Sequence, residues 1–169
     1  MFRLVIATIW VLVDYKWADW RNWKKYYPTI LFMITSNLVY TLLTYNHPLW
    51  VLTDPTLKVT FTLLLINTII FPAGVLLYLS CFPKNDGFKK IIYVLEWISI
   101  FMVLEWIPLQ FNQVRYSNGW SIWWSLGFNT IMFPLLKIHY EKPLLAWLFA
   151  LIFGASIIYL FKVPLSSMR

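Results

Sequence analysis

Glu96 and Glu105 interrupt an apolar run from Ile91 to Phe111, a place where carboxylic acids are rare. A carboxylate inside such a run reads by default as a proton-relay or ligand residue. On a helix, Glu96 falls roughly 7 Å to one side of the run's centre and Glu105 roughly 6 Å to the other. The nine residues between them, at about 100° each, put the two groups on nearly opposite helix faces. They do not make one acid–base pair. The competing reading is that each is protonated and bonds a neighbouring helix as structural glue. Asn67 and Asn129 also sit in apolar runs and are expected to point inward, hydrogen-bonding between helices. With Asn37 they complete a candidate intramembrane polar site.

Other chemistries are poorly supplied. His47 and His139 each follow an apolar run, but the two runs end on opposite sides of a bilayer, so the histidines cannot share an ion. The single cysteine, Cys81, forms no internal disulfide and offers no metal spacing. The chain has no Gly-x-Ser-x-Gly, no His-Glu-x-x-His and no phosphate-binding glycine loop. No catalytic residue, metal or cofactor is expected, and an intramembrane enzyme ranks behind the two functional classes set out below.

The elements that position these groups follow from composition. Of 169 residues, 60% are apolar, 20% aromatic and only 12% charged, against about a quarter charged in a soluble domain. So few charges cannot cover the surface of a small water-soluble fold. A soluble enzyme, a disordered tail and a nucleic-acid-binding domain are excluded. The 14 Lys and Arg against 7 Asp and Glu sit in short tracts between apolar runs, the pattern of a protein oriented by positive-inside charge and resting on anionic headgroups. The expected fold is all-α: a polytopic transmembrane helical bundle forming one integral membrane domain over residues 1–169.

Six spans are expected, at roughly 2–20, 28–45, 59–82, 91–111, 120–136 and 144–161. The first is the weakest. Its apolar run, Phe2 to Val13, covers only about 18 Å, and Tyr15, Trp17 and Trp20 must complete the crossing. The alternative is five spans plus an interfacial N-terminal helix. No small-x-small cleavage site follows this run, so an uncleaved anchor is expected rather than a signal peptide. The tracts after spans one, three and five hold nine Lys and Arg, and the opposite side holds five. The first side is therefore expected to be cytoplasmic and the C-terminus outside.

Residues 67–72, Asn-Thr-Ile-Ile-Phe-Pro, recur at 129–134 as Asn-Thr-Ile-Met-Phe-Pro, 62 positions later. A repeated helical hairpin (30–82 and 91–136) is one reading, with chance similarity in an apolar alphabet as the other. Between the first two spans, Trp17, Trp20, Arg21, Trp23, Lys24, Lys25, Tyr26 and Tyr27 read as an aromatic and basic belt at the lipid interface.

Trp17-Ala-Asp-Trp-Arg, Tyr26-Tyr-Pro-Thr-Ile-Leu-Phe, Tyr45-Asn-His-Pro-Leu-Trp, and Asn129 to Leu136 followed by His139 and Lys142-Pro-Leu-Leu-Ala-Trp carry a further signal. In these segments the chain resembles an uncharacterised family of small multi-spanning membrane proteins of Bacillus-like and clostridial Firmicutes. The resemblance implies a multi-pass protein of the bacterial cytoplasmic (cell) membrane, and it carries no catalytic residue with it.

Two functional classes follow. One is a small-solute or ion binding or transport protein whose Glu and Asn residues line a polar site. The other is a non-catalytic accessory or sensor subunit that uses the same residues for helix packing. A polar cavity reaching Glu96 or Glu105 would favour the first, and dry packing the second. The expected partners are anionic lipid headgroups and either a second copy or an unidentified membrane protein, with no nucleic acid. Reporter fusions at Asp86 and Arg169 test the orientation. The expected result is a cytoplasmic signal at Asp86 and an external one at Arg169, and a cytoplasmic signal at Arg169 would refute it.

Overall fold

The computed structural model describes residues 2–53, 58–84 and 86–164, with side chains from Leu4 onward. The predicted external segment Ser166–Arg169 lies outside the described residues. The described residues are mostly helical, in six rods: α1 (Phe2–Trp17), α2 (Tyr27–Leu43), α3 (Val59–Ser80), α4 (Gly87–Gln110), α5 (Ile122–Glu141) and α6 (Pro143–Leu160). Local chemistry sets their starts. The Asp86 carboxylate accepts from the backbone N–H groups of Phe88 and Lys89, capping α4. Pro28 and Pro143 sit in first turns, where a missing N–H costs nothing.

Helices α3, α4 and α6 are long and apolar enough to cross a membrane, at about 33, 36 and 27 Å. Helix α2 is apolar but shorter, α1 has 16 residues, and the end of α5 carries Lys137 and Glu141. Two boundaries differ from the sequence reading. The expected first span ends early, at Trp17, because Asp19 leaves helical geometry (φ −81°, ψ 55°) and residues 20–25 form a separate 3₁₀ segment. The expected fifth span starts later and runs past Leu136 to Glu141, so that Lys142 alone separates α5 from α6.

Helix α2 packs on α3, and α4 packs on α5. The centre of the bundle is Tyr78 on α3, which is fully buried. Its hydroxyl donates to the Phe133 carbonyl on α5 at 2.9 Å, and its own carbonyl accepts from Tyr93 on α4 at 3.0 Å. Around its ring lie Phe82, Tyr93, Trp97 and Phe133, with centroids 5.2–5.7 Å away. Trp10 of α1 stacks on Trp97, and Phe32 of α2 meets Trp147 of α6 edge-on, so α1 and α6 flank this core.

Two short strands were not foreseen. In the loop after α2, β1 (Trp50–Leu52) pairs antiparallel with β2 (Val114–Tyr116) from the loop after α4, with Val51 opposite Arg115. The pairing meets backbone polar groups that would otherwise stand bare at the end of an apolar bundle. Gly119, at φ +84°, makes the turn from β2 into α5. Thr29 at the start of α2 meets His139 Nδ1 near the end of α5, at 3.0 Å. The bundle thus has a ribbon end and an opposite end, to which the lysine tracts converge.

The sequence repeat has a structural counterpart. Asn67 and Asn129 each donate to the carbonyl four residues back, Leu63 at 2.8 Å and Ser125 at 3.0 Å. Thr68 and Thr130 do the same with Leu64 and Leu126. Tyr78 stacks on Tyr93 (5.7 Å, 16°) as Tyr140, 62 positions after Tyr78, stacks on Tyr26 (5.6 Å, 17°). The copies differ in backbone geometry: residues 66–70 form a π-helical turn before Pro72, whereas α5 runs through Pro134 without one.

Tyr78→Phe keeps the ring and deletes the bond to Phe133, leaving a buried carbonyl one partner short. The expected loss is about 0.5–1.5 kcal/mol, read as a lower thermal midpoint in detergent. An unchanged midpoint would show that the hydroxyl ties nothing together.

Candidate functional site

The α4–α5 seam beneath the ribbon gathers one of the two glutamates. Glu105 Oε1 accepts from the Ser125 hydroxyl at 2.6 Å and from the Tyr116 hydroxyl at 2.9 Å. Ser125 Oγ in turn accepts from Trp120 Nε1 at 2.9 Å. One turn further into the bundle, Asn129 Nδ2 reaches Met102 Sδ on α4 at 3.6 Å. Helix α5 sets this column because Ser125 and Asn129 are four residues apart on one face, and β2 delivers Tyr116. Burial foremost, and the neighbouring Glu105 charge, push the Tyr116 phenol up, so at neutral pH it remains an O–H donor.

The α2–α3 seam holds the second polar contact. Asn37 Nδ2 donates to Asn67 Oδ1 at 3.1 Å, and with Asn67 only 5% exposed and Asn129 6%, both repeat asparagines lie inside the bundle. Four of the five residues singled out in sequence therefore occupy two parallel seams rather than one site. The arrangement offers no nucleophile. Ser125 is buried, and its hydroxyl is engaged both as donor and as acceptor.

Glu96 is elsewhere. It is exposed on the outer surface of α4, with no hydrogen bond or ion pair among the described residues. Lys89, Ile92, Glu96, Ser99, Val103, Trp106 and Gln110 are all exposed, at alternating spacings of three and four. That is the period of a helix–helix seam; Phe88, Ile91, Leu95 and Ile100 beside it are exposed too, and among the described residues no helix covers this face.

In the belt tract, Trp17, Trp20, Arg21, Trp23, Lys24, Lys25 and Tyr27 are exposed. Arg21 lies over the Trp20 ring. Tyr26 departs from this pattern and turns inward, buried against Tyr140. Burial, with the charge and hydrogen bond of Asp19, pushes its phenol up to about 12. The two histidines sit at opposite ends of α2, His139 beside Thr29 and His47 beyond Leu43. Among the described residues no group of His, Cys, Asp or Glu could hold a metal ion.

No family model, curated protein or solved structure matches the chain.

Sequence reasoning missed the partners of Glu105. Ser125 stood one helical turn before Asn129, a spacing that could have flagged it. Tyr116 lay in a loop where no periodicity applies, and Trp120, the first residue of the expected fifth span, reads there as an ordinary interfacial aromatic. The Asn37–Asn67 bond is best measured by a double-mutant cycle with Ala at each position. Interhelical side-chain bonds of this kind couple by about 0.6–1.7 kcal/mol. Additive losses of stability would mean that the two amides do not interact.

Proposed function

We propose that this protein is a six-span component of the bacterial cytoplasmic membrane that acts as a non-catalytic subunit and pairs with a second copy along α4. The observation that carries the reading is the contrast between its two glutamates. Glu105 and the three asparagines bond to protein groups on neighbouring helices or on the ribbon, as packing residues do, whereas Glu96 faces outward with no hydrogen bond or ion pair among the described residues, only the Tyr93 phenol lying within reach of its charge. A polar group facing hydrocarbon costs on the order of 2–3 kcal/mol, so an outward carboxyl calls for a partner. A second copy related by an axis along the membrane normal brings Glu96 and Ser99 against their own counterparts. A carboxyl and a hydroxyl can then hydrogen-bond across the seam. In this reading the lysine end is cytoplasmic, as the Lys and Arg distribution favours, and the resemblance to the Firmicutes family supports the membrane assignment.

Disulfide trapping in native membranes tests the pairing. In a Cys81→Ala background, Ser99→Cys and Val103→Cys are expected to give cross-linked dimers and Ile131→Cys on α5 none. Adding Glu96→Leu should lower the trapped fraction several-fold. Equal trapping at all three positions would refute the seam. Reconstituted in liposomes, the protein is expected to carry no proton or cation flux. A flux abolished by Glu105→Gln would assign the interior to transport instead.

A further inference from the structure

Three stretches distant in sequence meet at the lysine end around a cleft of about 410 Å³. Its walls include Lys25 from the tract before α2, Lys84 and Lys90 from either side of the α3–α4 loop, and Lys137 from α5. The stacked rings of Tyr26 and Tyr140 form one side. Two carboxylates, Asp19 and Glu141, also line the cleft, and both are already engaged. Asp19 accepts from Asn22 and Tyr26, and Glu141 pairs with Lys137 at 3.0 Å. Lys25, Lys84 and Lys90 have no acidic partner within ion-pair distance among the described residues.

With Lys137 and Glu141 cancelling each other, three ammonium groups face the single carboxylate of Asp19 around one concavity, and this excess positive charge, which the sidedness of the lysine tracts alone does not gather into a cleft, is relieved when an anion enters. We propose that the cleft binds a phosphate monoester, carried by an anionic lipid headgroup or by a soluble phosphorylated compound. Lysine suits this ligand as a mobile point charge with three donors. The Tyr26 hydroxyl is committed to Asp19, and Lys137 Nζ lies over the Phe82 and Tyr140 rings. These contacts fix the wall and leave the three free lysines to close on the ligand. The volume lies within the roughly 300–1,000 Å³ typical of small-ligand clefts, enough for a headgroup but not for a nucleic-acid strand. The cleft is separate from the α4 stripe, and its test does not depend on whether two copies pair there.

The full-length protein in phosphatidylcholine nanodiscs provides the test, with thermal midpoint and ³¹P line broadening as readouts. One arm adds phosphatidic acid to the disc, and the other adds glycerol 3-phosphate to the buffer. The expected result is a raised midpoint and a broadened resonance in at least one arm. The double variant Lys84→Gln/Lys90→Gln should weaken the response about tenfold, and Lys58→Gln/Arg115→Gln, which removes the same charge from the ribbon end, should leave it intact. A response to phosphatidic acid alone assigns the site to a headgroup, and one to glycerol 3-phosphate alone to a soluble ligand. No response in either arm overturns the proposal, and so does an equal loss in both double variants. If the lysine variant fails to fold, the parent's salt dependence decides: affinity must fall steeply as ionic strength rises.

Discussion

Inside a bundle this apolar, hydrophobic contact alone does not choose between one packing and another, since burial of apolar surface is non-directional. The Tyr78 hydroxyl supplies the choice. It reaches the Phe133 carbonyl on α5 while its own carbonyl takes the Tyr93 hydroxyl from α4, so three helices are fixed in depth and rotation at one point. Around it Phe82 and Trp97 meet the Tyr78 ring edge to face, while Tyr93 stacks on it. The contacts of α1 and α6 are laid over this centre, Trp10 onto Trp97 and Trp147 onto Phe32.

The division of labour between the seams follows. Each pairs one polar side chain with a partner on the adjacent helix, amide to amide at Asn37–Asn67 and amide to thioether at Asn129–Met102. One seam alone adds a carboxyl, and that is where the ribbon strand folds down to supply Tyr116. Helix α4 therefore has two faces with opposite chemistry. Its inner face spends Glu105 on holding the ribbon, and its outer face keeps Glu96 unspent.

Much of this was legible in the sequence, and the limits were physical. The all-α class, and the membrane-competent length of α3, α4 and α6, came from hydropathy, which reports the solvent around a helix. The inward turn of Asn67 and Asn129 came from the cost of an amide in hydrocarbon. Periodicity could not reveal the β1–β2 ribbon, because a three-residue strand has no period to detect. It also could not reveal that Tyr26 leaves its neighbours to stack on Tyr140, since that pairing spans 114 positions. The lysine cleft was hidden for the same reason: each tract read alone is ordinary interfacial charge, and only the packing of α2 against both α3 and α5 brings them together.

The π turn at residues 66–70 sets the phase of everything below it. A π turn accommodates one residue more than the α-helix would, and each residue is worth about 100° of rotation. Tyr78 stands eight positions past the end of that turn, so its bearing toward Phe133 depends on the extra residue. Wound instead as an unbroken α-helix with every residue kept, the segment would swing Tyr78 by about 100°, a little over a quarter of the way round and away from the carbonyl it serves, whereas deleting one residue of the turn would leave its bearing unchanged. The irregular turn is thus a phase shifter. It lets Asn67 above and Tyr78 below each address its own neighbour, which a perfectly regular rod of this sequence could not do.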